Sequence, residues 1–236
     1  MSRLVHHRSP ILAAFCLIFG AWLVVAARGQ AAAGAAPAAP KAAAPASVPE
    51  LVSAVRKLFD PATTGDWAAT ARQSTACKDA LKKVQADLAQ PNPAQQTSLT
   101  QITADLAALD TAVAAKQRQA ALLSASRIFR GSGALADTFL NKVPQPVWQM
   151  EYLARELQVW ADDPADLTKL KALPAQIEAE WNRVGQDVSA RGGDDLALEF
   201  IQETTALKDA ATAADFAKSA KPLLDTLDKI EKAYLE

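Results

Sequence analysis

The residue types that usually carry catalysis are scarce in this chain of 236 residues. Its histidines are His6 and His7, and its cysteines are Cys16 and Cys77. Both histidines lie in the basic start of a leader, so the remainder of the chain has none. Ser-His-Asp and Cys-His nucleophilic chemistry are therefore excluded. So are the Glu-x-x-His pairs of di-iron bundles and the His or His/Met ligands of bundle haem proteins. No CxxCH run exists for covalent haem attachment. Cys77 falls on the stripe Trp67, Thr70, Ser74, Cys77, Leu81, Val84, Leu88, which marks it as a small packing residue rather than a nucleophile. Gly131-Ser132-Gly133 reads as a flexible turn, with neither a phosphate-loop lysine nor a nucleophile-elbow context. We expect no enzyme activity and no cofactor.

Binding is what remains. Carboxylates crowd the C-terminal part, including Asp162, Asp163, Asp166, Asp194, Asp195, Glu199 and Glu203. Glu199 and Glu203 share a helix face at i,i+4, and adjacent oxygens can hold calcium or magnesium. No calcium-loop spacing is present, so helix caps and solvated faces explain the acids without a metal. Trp67, Trp148, Trp160 and Trp181 could line a cleft, but Trp160 and Trp181 lie on apolar stripes that belong to a core. Trp148 sits in Val143-Pro144-Gln145-Pro146-Val147-Trp148, where two parts of the chain join. It either locks them or lines a groove between them. The candidate binding set is Trp148, Asp162, Asp163, Asp194, Asp195, Glu199 and Glu203, with no catalytic, cofactor or metal residues.

The elements that position these residues read as helices. Apolar residues recur at steps of three and four along Leu99, Ile102, Leu106, Leu109, Val113, and along Leu170, Leu173, Ile177, Trp181, Val184, Val188. The same spacing joins Phe216, Ala220, Leu223, Leu227, Ile230 and Tyr234, and a shorter stripe joins Met150, Leu153, Leu157 and Trp160. No stretch has a period of two, so strands are not expected. The predicted helices are 49–59, 66–89, 98–113, 115–141, 147–161, 164–191, 195–211 and 213–235. Ser47-Val48-Pro49-Glu50 reads as a capping box, and Asp163-Pro164-Ala165-Asp166 and Thr212-Ala213-Ala214-Asp215 as further helix starts. Pro174 and Pro222 fall inside predicted helices and should kink or restart them.

An offset of about 100 aligns Asp66-Trp67 with Asp166-Leu167, and Cys77, Leu81, Val84 and Leu88 with Ile177, Trp181, Val184 and Val188. The fold class is therefore all-α: an up-down antiparallel bundle of two similar four-helix halves, residues 48–142 and 143–236, or one elongated eight-helix array. Before them come a basic, apolar leader, residues 1–27, and an Ala/Pro-rich spacer, residues 28–47. Arg3, His6, His7 and Arg8 precede an uncharged run from Ile11 to Ala27. This fits a cleaved secretory signal, with an uncleaved membrane anchor as the competing reading.

The segment Glu180-Trp181-Asn182-Arg183-Val184, followed by two helices with an Ala-rich junction at 210–215, resembles small bacterial extracytoplasmic helical-bundle proteins. The resemblance covers mainly residues 147–235. It implies a helical fold and a periplasmic or secreted location, or an inner-membrane anchor with the bundle outside the cytoplasm. It implies no activity.

Charge completes the reading. The net of −1 argues against a nucleic-acid partner. Residues 48–142 carry 11 Lys/Arg against eight Asp/Glu, a net of +3, and residues 143–236 carry ten against 18, a net of −8. Such asymmetry points to a cationic partner, or the basic part of a second copy, docking on the acidic part. Two functions are compatible with all this. One is an exported interaction or adaptor module that binds a protein or itself. The other is a small-ligand carrier or sensor with an apolar cavity between the proline-kinked helices.

Overall fold

The amphipathic stripes become helices packed on one core. The computed structural model describes residues 41–162 and 164–236, so the expected leader, most of the spacer and Asp163 lie outside the described residues. Among the described residues there are ten helical segments and no strand beyond an isolated bridge between Ala43 and Leu140. They are α1 (Ser47–Arg56), α2 (Phe59–Thr64), α3 (Trp67–Asp87), α4 (Pro93–Ala114), α5 (Arg118–Ala136), α6 (Gln145–Ala161), α7 (Leu167–Trp181), α8 (Gly185–Ala190), α9 (Asp194–Asp209) and α10 (Ala213–Leu235). None is long and apolar enough to cross a membrane.

The order of packing is simple. Helix α1 lies against α3, α3 against α4, α4 against α5, and α5 back against α1. A second ring runs α6, α7, α9, α10 and back to α6, and α5 also packs on α6. The residues of the α10 stripe, Phe216 through Tyr234, are all buried, as are Leu99, Ile102, Leu106 and Leu109 on α4. Cys77 is fully buried and has no disulfide, and burial pushes its thiol up to about 12. A thiol so far above neutrality is protonated and unreactive.

Local chemistry sets the helix ends. Asp66 and Asp166 each cap a helix, their carboxylates accepting from the amides of Ala69 and Lys169, so α7 begins at Leu167 and not at the expected residue 164. Thr212 and Asp215 form the expected reciprocal box at the start of α10. The box expected at Ser47 does not form. Ser47 is inside α1 and buried, and its hydroxyl donates to Asp87 at 2.6 Å, while Glu50 pairs with Lys83. A box that the sequence reading missed opens α4: Asn92 and Gln95 cap each other, with Pro93 in the first turn, and the helix starts five residues before the predicted one.

Two predicted helices are broken. The helix expected at 49–59 ends at Arg56, and an unpredicted α2 follows from Phe59, because Pro61 has no N–H to offer the Lys57 carbonyl in a continuous helix. Residues 164–191 divide into α7 and α8 around Asn182–Val184. There the Trp181 ring stacks on Phe200, centroids 4.2 Å apart, and occupies the space that any side chain at Gly185 needs. Pro174 and Pro222, by contrast, lie within uninterrupted helices and restart neither.

The segment 131–133 is not a turn. It lies inside α5, and its glycines set helix separation: a Cβ on Gly131 would stand 2.8 Å from Ile102 Cγ1 of α4, and one on Gly133 would stand 3.4 Å from the Trp148 ring of α6. The clash at Gly131 involves an inner atom of a branched side chain, which cannot swing clear. Gly131→Ala should therefore lose about 1–3 kcal/mol in urea unfolding despite its gain in helix propensity. Gly133→Ala should be within about 1 kcal/mol of the parent. Equal effects at the two positions would contradict this packing.

Candidate functional site

Trp148 is held by charge as well as packing. It projects from α6 onto Phe129 of α5, rings 6.3 Å apart and 20° from parallel, and its indole N–H is buried without a partner. Above it lies the Arg56 guanidinium of α1, 5.5 Å from the Trp148 ring and 5.7 Å from Phe129. Arg56 donates to Glu151 of α6 through Nε and Nη2, at 3.0 and 2.5 Å, and to Glu231 of α10 through Nη1 and Nη2, at 3.3 and 2.5 Å. Arg155 adds a third donor to Glu151 at 2.6 Å and stacks 4.1 Å from the Phe59 ring. The Glu151, Arg155 and Glu231 side chains are only 10 %, 11 % and 12 % exposed.

Burial opposes the charge on Arg56, but the two carboxylates outweigh it and raise its pKa further. Burial also raises the Glu231 carboxyl above its ordinary range, against the pull of Arg56. Trp148 thus packs where α1, α5, α6 and α10 meet. The charged cluster around it escaped the sequence reading. Arg56 is 95 residues from Glu151 and 175 from Glu231, a separation that no local spacing rule reports.

The candidate carboxylates do not converge. Asp162 closes the end of α6 on the start of α5 by accepting from Arg118 Nε at 2.9 Å and from Nη2. Asp163 lies outside the described residues. Asp194 and Asp195 are exposed in the first turn of α9, where acids offset the positive helix end. Glu199 pairs with Lys229 of α10 at 2.6 Å, and that bond holds its carboxyl below the usual range. Glu203 accepts from the Thr226 hydroxyl of α10 at 3.0 Å, while its second oxygen is buried and unpartnered. Burial raises its pKa. Glu199 and Glu203 share a face, as their spacing requires, but that face is turned to α10. Among the described residues, no three His, Cys, Asp or Glu side chains are grouped to hold a metal ion.

Three concave surfaces surround these residues. One of 610 Å³ between α9 and α10 is lined by Glu203, Ala206, Asp209, Lys218 and Pro222. One of 520 Å³ is lined by Pro174, Leu207, Ala210 and Phe216. A slot of 410 Å³ between α8 and α9 is lined by Trp181, Gly185, Gln186, Ser189, Ala197 and Ile201. Beside this slot, Leu198 is 56 % and Ile201 49 % exposed. The sequence holds a signal for this pair: Leu196, Phe200, Thr204 and Leu207 already supply the inner face of α9, so the other large apolar residues are surplus. Comparison with protein-family models, curated proteins and solved structures finds no match for this chain.

The stranded oxygen of Glu203 has a consequence for stability. Its folded-state pKa is raised, so ionisation disfavours the fold above the unfolded value and the penalty fades as pH falls through the folded value. Glu203→Gln should raise the thermal midpoint by a small amount at pH 7 and by nothing at pH 3. A loss of stability at pH 7 would show that the charge is satisfied.

Proposed function

We propose that this chain is an exported, non-enzymatic helical-bundle protein whose acidic C-terminal part, residues 143–236, is an interaction or adaptor module. The observation that carries the reading is the α8–α9 face. Leu198 and Ile201 are exposed almost one helical turn apart, beside a slot floored in part by Trp181. Asp194 and Asp195 stand at the same end of α9 with no ion pair among the described residues. Apolar anchors with an acidic rim suit an amphipathic helix of a partner protein that carries lysine or arginine beside its apolar face.

The occurrence of the same helix order in both rings supports a tandem repeat, and the basic, apolar leader supports export, either free or anchored. One feature favours the carrier reading instead. Pro174 and Pro222 each line a groove, on either side of Ala210, large enough for a small molecule.

The test is native cross-linking and capture in the producing cell, comparing the parent with Leu198→Lys/Ile201→Lys across a salt series. A partner that is captured at low salt, weakens at high salt and is lost at least tenfold in the variant supports the interaction reading. A partner retained by the variant, or insensitive to salt, contradicts it. A small molecule found by mass spectrometry on the purified protein, with no partner, would favour the carrier.

A further inference from the structure

We infer that the groove between α4 and α5 binds a small organic acid that also carries an amine or hydroxyl group. This site lies apart from the α8–α9 face and does not depend on it. The groove has a volume of 410 Å³ and is lined by Ser98, Gln101 and Asp105 of α4 and by Arg127, Arg130 and Gly131 of α5, among others.

The two arginines are one turn apart on the same side of α5, and both are exposed. Neither is in an ion pair among the described residues. Arg130 lies 5.6 Å from the Tyr152 ring and acts on its hydroxyl, and among the described residues no ring or carboxylate meets Arg127. Of the other described arginines, Arg56, Arg118, Arg155, Arg183 and Arg191 each meet a carboxylate, and Arg72 does not. A pair of forked donors on one face is suited to a carboxylate or phosphate oxygen pair.

The opposite wall carries a buried acid. Asp105 is 4 % exposed, accepts from Gln101 Nε2 at 2.9 Å and, among the described residues, has no lysine or arginine within ion-pair distance. A carboxylate withdrawn from water needs donors, and one neutral amide is a poor replacement for its hydration. The arginines therefore ask for an anion while Asp105 repels one and asks for a donor. A simple inorganic anion meets only the first demand. A molecule with a carboxylate at one end and an ammonium or hydroxyl group at the other meets both. Gly131 gives the groove its floor by letting α4 and α5 approach until Ile102 leaves no room for a Cβ.

The test uses the full chain, labelled with nitrogen-15, and follows the arginine Nε–Hε signals during titration with L-serine, 4-aminobutyrate, acetate and inorganic phosphate. Saturable binding of L-serine or 4-aminobutyrate, at least tenfold tighter than acetate and phosphate, is the expected result. Arg127→Gln/Arg130→Gln should weaken it at least tenfold, in protein shown by circular dichroism to be folded, and Arg127→Gln alone, which leaves the Arg130–Tyr152 contact in place, should weaken it too. Asp105→Asn keeps the shape and should remove the preference over acetate, in protein shown by circular dichroism to be folded. The inference is overturned if neither amino acid saturates, if acetate or phosphate binds as tightly, or if binding survives loss of both arginines.

Discussion

One guanidinium fixes where the first helix lies. Arg56 reaches from α1 to carboxylates on α6 and α10 and rests its face on Phe129 of α5 and Trp148 of α6. Four helices meet at that group, and the chain segments involved are otherwise remote. With Arg155 the cluster has two positive and two negative charges, so it is neutral as a unit while each member alone is costly to bury. A neutral cluster of this kind contributes less to net stability than to specificity. Helix α1 cannot slide by a turn without stranding Glu231 and taking two of the three arginine bonds from Glu151. The aromatic rings add to this, since a cation over a ring face retains part of its stabilisation where water is excluded.

Much of the fold was legible because it depends on periodicity. The α10 stripe and the Thr212–Asp215 box are local patterns, and each forms as its residues dictate. The start expected at Asp163–Asp166 does not, because Asp166 itself is the cap and α7 begins at Leu167. What was illegible depends on partners far along the chain. Ser47 looks like a cap until Asp87 is beside it, and Gly131 looks like a turn until Ile102 is. The break after Trp181 follows from stacking on Phe200, which no helix rule contains. The candidate site divides in the same way. The spacing of Glu199 and Glu203 placed them on one face, but not the neighbours, Lys229 and Thr226, that occupy it.

The acidic surplus of residues 143–236 is unevenly distributed. Asp187 with Arg191, Glu178 with Lys208, Asp225 with Lys221 and Asp228 with Lys232 are surface pairs that stabilise little and largely cancel at a distance. Among the described residues, Asp194 and Asp195 on α9 have no ion pair. That end of the helix is also where Leu198 and Ile201 are exposed. Acidic charge and exposed apolar area therefore coincide near the start of α9.

The claim that most of this rests on is the Arg56 clamp, and a double-mutant cycle addresses it directly. Urea unfolding of Arg56→Met, Glu231→Gln and the double variant measures whether the two groups act together. The account predicts that Arg56→Met alone costs about 3–5 kcal/mol, because it leaves two buried carboxylates short of their donor. It further predicts that the double variant costs less than the two singles combined, with a coupling of at least about 1 kcal/mol. A loss below about 0.5 kcal/mol for Arg56→Met, or strict additivity, would contradict it.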